Sequence, residues 1–223
     1  MLILAIDTSA VASAALISDD AMESVVESFA TEDTRSHAEV LAPGIAKLLA
    51  GAGVTGADID AIVTGVGPGP FTGLRSGIAT ARTLAFVWNK PLYGLMSLDA
   101  IALEVAESTA ATREFLVATD ARRKEVYWAR YTLAEGQLPE LVDGPHVGFA
   151  SELPDLPVFG AGAGLYADVL TADVDFAQTQ PDAASLGQFA LAKLTAGQTL
   201  LDSTPLYLRE SDAQVPGPRK RAL

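Results

Sequence analysis

Gly65 to Asn89, GVGPGPFTGLRSGIATARTLAFVWN, is a glycine and proline loop feeding a long helical run. Just upstream, Ile59-Asp60-Ala61-Ile62-Val63-Thr64 is an apolar, β-branched stretch of the kind that forms a buried strand. Thr72 is a good N-cap, and no proline follows until Pro91. From Ser76 to Trp88 the only charge is Arg82, so the predicted helix is apolar on nearly every face and needs burial on more than one side. One side can face its own sheet, and a second chain is expected on the other. Leu74, Ile78, Ala81 and Ala85 fall on one stripe at helical spacing, and Gly77, Leu84 and Val87 on another. One stripe is expected on the strand 59–64 and the other on a partner; periodicity does not say which.

The loop has two readings. Gly67, Gly69 and Gly73 permit positive φ and close approach, while Pro68 and Pro70 stiffen the segment. Free N–H groups at the helix entrance suit an anion. Arg75, in the first turn, opposes the helix dipole and suggests a phosphate or a partner's carboxylate nearby. A plain strand-to-helix turn with a solvated arginine explains the same residues.

Working outward, 223 residues make one large domain or two small ones. The 28 acidic against 15 basic side chains give a net charge of −13, which argues against nucleic-acid binding by the chain alone. There is no cysteine, hence no disulfide, thiolate nucleophile or cysteine metal site, which suits the cytoplasm. No segment approaches membrane-spanning length and the start lacks a basic n-region, so a soluble, untargeted, cytoplasmic chain is expected.

In order, Leu2 to Ile6 reads as a buried strand ending in Asp7-Thr8-Ser9, with further strands at Val11 to Ile17 and Met22 to Phe29. Ser36-His37-Ala38-Glu39 is a capping box opening a helix to about Ala50, with Leu41, Ile45 and Leu48 or Leu49 on one apolar stripe. Beyond the central helix come a strand at Pro91 to Leu95 and a helix capped by Ser97. Strands follow at Glu114 to Asp120 and Lys124 to Leu133, then a strand into the Gly160–Gly164 turn and a helix at Ala183 to Thr195. The order β-β-β-α-β-α-β-α, restarting with a hairpin near residue 115, predicts two related α/β halves with a boundary near 97–113. The expected organisation is a first lobe over 1–100 carrying the dimerisation helices, a second over 101–215, and a tail at 216–223.

A strand, a polar D-T-S turn and a returning strand resemble the phosphate-binding hairpin of actin-like ATPases, where an aspartate ends the first strand. For Asp7 the alternative is a turn residue bonding its own backbone. The segments LAIDTS, SHAEVLAPGI, GVGPGPFTGLRSGIATARTLAF, DARRKEVYWARY and PLYLR occur in the order seen in the TsaB (YeaZ-type) family, which this chain resembles over most of its length. The resemblance implies an α/β, two-lobed actin-like (ribonuclease-H-like) fold with a degenerate second lobe. It also implies a non-enzymatic accessory role in making threonylcarbamoyladenosine beside the tRNA anticodon.

The implied partners are a TsaD-type catalytic subunit and a TsaE-type ATPase subunit of the same complex, with a homodimer when the chain is isolated and no tRNA or membrane contact alone. The expected partner interface is His37, Leu41, Ile45 and Leu48 on the first helix with Leu74, Arg75, Ile78, Arg82 and Leu84 on the second. In catalytic relatives a segment after the corresponding helix carries two histidines four residues apart; here Ser97 and Ile101 have that spacing, and neither replaces an imidazole. No catalytic or metal residue is therefore assigned, and no cofactor is expected on this chain alone. Asp7, Thr8 and Ser9 are the candidate nucleotide contacts, and the resemblance leaves room for a nucleotide at the subunit boundary. In the second hairpin, Asp120 is followed by Ala121-Arg122-Arg123, whose side chains crowd the approach that glycines give a phosphate. Two other functions compete. An ATP-dependent small-molecule kinase would use the same hairpins. A metallopeptidase would have only His37 and His146 to draw on, without an HExxH motif.

Overall fold

The computed structural model describes residues 1–20, 24–31, 37–108 and 114–209. The expected Ser36 cap, the Met22 start of the third strand and the tail at 216–223 lie outside them.

The first sheet contains β1 (Leu2–Asp7), β2 (Ser13–Ser18), β3 (Val25–Ala30), β4 (Ala61–Gly65) and β5 (Leu92–Leu95), in the order β3-β2-β1-β4-β5. The first three form an antiparallel meander; β4 and β5 add in parallel. The β1 sequence LILAID is apolar at five consecutive positions because both of its faces are covered. Leu4 and Ile6 face α1 (His37–Ala52) and α2 (Phe71–Trp88). Ile3 and Ala5 face α3 (Leu98–Ser108) and α5 (Ala183–Thr195).

The second sheet has the order β8-β7-β6-β9, from β6 (Glu114–Asp120), β7 (Glu125–Thr132), β8 (Glu140–Phe149) and β9 (Val158–Phe159), with the short α4 (Ala161–Leu165) behind it. Edge strand β8 was not foreseen. Its sequence ELVDGPHVGF breaks alternation with Gly144, Pro145 and Gly148, which an edge with a register shift against β7 tolerates. Phe115, Val117, Tyr131 and Phe159 form this sheet's core together with Leu98, Ile101 and Val105 of α3. Ala100 and Leu103 on the same helix enter the first sheet's core.

Two expectations need correction here. The lobes are not sequential halves: α5 returns from the second to pack Leu186, Phe189 and Ala190 on β1 and β2. Residues 183–195 therefore complete the first lobe. Secondly, α2 starts at Phe71 with Pro70 as N-cap, so Thr72 lies inside its first turn. Pro70, at φ −61° and ψ 134°, supplies the extended conformation a cap needs without a side-chain bond. Asn89 ends the helix in the left-handed conformation, at φ 53°.

Candidate functional site

At the end of β1, the Asp7-Thr8-Ser9 turn is buried and its polar side chains are all engaged from within the chain. Asp7 Oδ1 accepts hydrogen bonds from the Ser9 amide at 2.8 Å and the Ser9 hydroxyl at 2.6 Å. Oδ2 accepts from the Ser97 hydroxyl at 2.6 Å, and Ser97 Oγ in turn accepts from the Gly67 amide at 3.2 Å. Thr8 Oγ1 donates to the Gly73 carbonyl of α2 at 2.8 Å. Burial pushes the Asp7 carboxyl above the usual carboxylate range, and the bonds from Ser9 and Ser97 oppose that shift. Gly65 leaves the space: a Cβ there would fall on Asp7 Oδ2. Gly77 does the same for Thr8, which lies where a Cβ on α2 would be.

Between the lobes runs a cleft of about 440 Å³. Ser9, Thr72, Gly73 and Ser76 line one wall, and Thr119, Asp120, Arg122, Gly164, Gln178 and Gln180 line the other. Asp120 is held locally: it accepts from the Arg122 amide at 2.7 Å and pairs with the Arg122 guanidinium at 3.6 Å. Arg122, Arg123 and Lys124 have φ of 62°, 56° and 65°. Three side-chain-bearing residues in the left-handed region cost about 1–2 kcal/mol each, a cost that glycines would avoid. The glycines of the Gly160–Gly164 turn serve close packing: a Cβ at Gly162 would lie 2.7 Å from backbone atoms of Ala118 and Thr119.

The outward face of α2 is the second candidate. Arg75, Ala79, Arg82, Thr83, Phe86 and Val87 are exposed at helical spacing, Phe86 by 87% and Val87 by 67%. Leu74, Ile78, Ala81 and Ala85 face inward, Leu74 and Ala81 wholly buried. This decides between the two stripes. The first packs on the chain's own sheet. In the second, Gly77 rests on Thr8, Leu84 is half-buried against the core under α1 and α2, and only Val87 is open.

Of the residues expected at a partner interface, Leu41, Ile45, Leu48, Leu74 and Ile78 are therefore core side chains of this chain. Their apolar spacing is the signature of burial, which a sheet satisfies as well as a partner does. His37 opens α1. Arg75 and Arg82 remain outward, yet the 200–209 segment meets both: Arg75 Nε donates to Tyr207 Oη at 3.0 Å and Arg82 Nε to Ser203 Oγ at 2.9 Å. No bound anion is needed to explain Arg75, which also lies over the Phe71 and Tyr207 rings. Sequence reasoning passed over Phe86, although it belongs to the same apolar run and lies four residues after Arg82. Ser97 provides the Asp7 bond, and Ile101 is buried in the second core. His37 and His146 lie in different lobes, His146 pairing with Asp143 at 2.9 Å. Among the described residues no group of three or more His, Cys, Asp or Glu gathers in a metal-binding arrangement.

Comparison with known proteins gives a consistent set of relatives. Residues 24–190 match the family model described as TsaD, tRNA N6-adenosine threonylcarbamoyltransferase. The chain is 39% identical to an uncharacterized protein of Mycobacterium tuberculosis over 95% of its own length and 93% of that protein's. It is 39% identical to the tRNA threonylcarbamoyladenosine biosynthesis protein TsaB of Escherichia coli over 59% of this chain and 55% of that one. The solved structure of YeaZ from Pseudomonas aeruginosa superposes with a TM-score of 0.78 at 29% identity, covering 93% of this chain and 99% of that one.

Proposed function

Since this chain belongs to the TsaB (YeaZ-type) family of tRNA threonylcarbamoyladenosine biosynthesis proteins, we propose that it serves that pathway as a non-catalytic subunit docking a TsaD-type catalytic partner. The observation that carries this reading is the closure of Asp7. In an actin-like site the carboxylate ending the first strand faces the cleft, free to serve a metal and phosphate. Here both oxygens are occupied by Ser9 and Ser97, and the group is out of contact with solvent. Releasing it would leave buried hydroxyl and amide groups unpaired, at about 1–3 kcal/mol for each. The same closure counts against an ATP-dependent kinase.

Docking falls to the outward side of α2. Phe86 and Val87 expose two large apolar side chains beside the small Ala79 and Thr83, so a partner helix can approach closely. In isolation the same face serves a homodimer, and a TsaE-type ATPase subunit completes the assembly elsewhere. A nucleotide, where one is bound, lies at the subunit boundary. No described helix is long and apolar enough to cross a membrane, and work on tRNA places the complex in the cytoplasm.

Co-expression with a tagged TsaD-type subunit tests the reading. The wild-type chain co-purifies in stoichiometric amount, and Phe86→Glu does not, while remaining folded. Equal recovery of both would refute docking through α2.

A further inference from the structure

Residues 200–209 cross the open edge of the first sheet and continue over α2. Leu201 exchanges backbone hydrogen bonds with Gly94 of β5 at 2.7 and 3.0 Å, and the Leu206 amide donates to the Val66 carbonyl at 2.8 Å. Gly94 is required for this seat, because a Cβ there would fall on the Asp202 carbonyl. Ser203 accepts from Arg82 through both its hydroxyl and its carbonyl, at 2.9 and 2.8 Å. Tyr207 stacks on Phe71 with 4.4 Å between ring centroids and accepts from Arg75. All of these anchors belong to the first lobe.

The same segment then engages the second lobe. Leu206 packs against the core that Met96, Leu98 and Ile101 share with Phe115, Tyr131 and Phe159 of the second lobe. Arg209 pairs with Glu125 at the start of β7, both side chains being about three-quarters buried. Tyr207 and Arg209 are two residues apart, a span of at most about 7 Å. Their attachments flank the cleft: Phe71 lies between the wall residues Pro70 and Thr72, and Glu125 closes the turn that begins with the wall residues Asp120 and Arg122.

We propose that residues 200–209 form an interlobe strap that sets how far the cleft opens. Two lobes sharing one helix, α3, can rotate about it as a hinge. A second attachment through Leu206 and the partly buried Arg209–Glu125 pair removes that freedom. A pair buried to this extent is screened less by water and salt than an exposed one. The strap leaves Phe86 and Val87 uncovered, so its role is separable from docking on α2.

The absence of cysteine allows clean site-specific labelling. Spin labels at Ala50→Cys on α1 and Glu135→Cys beyond β7, both exposed positions off the α2 docking face, report the interlobe distance by pulsed electron resonance in protein diluted with unlabelled chain. The otherwise wild-type chain gives one narrow distribution. Arg209→Glu and Glu125→Arg each broaden it and move it to longer distance, and the double reversal restores the narrow distribution. Arg209→Gln gives the same broadening without charge reversal and covers the case in which a reversed chain fails to fold by circular dichroism. A distribution unchanged in Arg209→Gln, or a folded double reversal as broad as the singles, would overturn the proposal.

Discussion

The Ser97 hydroxyl donates to Asp7 Oδ2 at 2.6 Å, joining the end of β1 to the β5–α3 connection across 90 positions of sequence. Ser97 also accepts from the Gly67 amide, so one hydroxyl fixes the aspartate and the start of the glycine loop together. Ser97→Ala leaves both buried groups short of a partner and lowers stability by about 1–3 kcal/mol. Gly65→Ala, whose methyl group would occupy the position of the Asp7 carboxylate, is the more damaging. Urea titration of the two variants checks the order.

Ile78 and Phe86 lie eight residues apart on α2 and have opposite fates. Ile78 is buried within its own chain, and a glutamate there carries an unpaired charge into the interior. Ile78→Glu is expected not to fold. Phe86→Glu changes an 87% exposed position and shifts stability by no more than about 0.5 kcal/mol. Circular dichroism melts separate the two directly.

Two carboxyl groups make stability depend on pH in an unusual direction. Burial raises Asp99, which accepts from Tyr131 Oη at 2.8 Å and has Lys193 nearby, to about 6. Burial likewise raises Glu104, which accepts from Ser185 Oγ and faces Asp182 and Glu107, to about 7. Groups raised on folding hold protons that the unfolded chain releases. Their contribution is therefore complete below the ordinary carboxylate range and is lost as pH rises through about 6 and then 7. The urea midpoint should fall between about pH 5 and pH 8, and Glu104→Gln should flatten that decline. A rising midpoint, or an unchanged slope in Glu104→Gln, would contradict the assignment.

With a net charge of −13, the isolated chain should leave tRNA unshifted on a native gel at physiological salt. A salt-sensitive shift at micromolar protein would show a basic surface that the composition does not suggest.

The sequence made the elements legible and left their partners open. Glu114–Asp120 was legible because a short apolar run bounded by charged residues marks it locally, and Ala183–Thr195 because its apolar residues recur at helical spacing. Periodicity shows that the second of these has an apolar face but not which sheet receives it, and α5 crosses back to β1 and β2. The same limit governed α2. Leu74, Ile78, Leu84 and Val87 look alike as apolar letters, and only their fate in the fold, Leu74 and Ile78 enclosed and Val87 open, fixes which side faces inward. In the candidate site, D-T-S was visible but its closure was not, because Ser97 is remote in sequence. PLYLR stood out as a motif, whereas its contacts with Val66, Arg75 and Glu125 require the fold.

The most direct measurement is reconstituted tRNA threonylcarbamoylation with purified components, with and without this chain. Neither this chain alone nor the TsaD-type subunit alone should modify tRNA efficiently. The two together should, and Phe86→Glu should remove the stimulation while Arg209→Gln keeps it. Modification by this chain in the absence of the catalytic subunit, or full activity of the catalytic subunit without it, would contradict the role of an accessory partner.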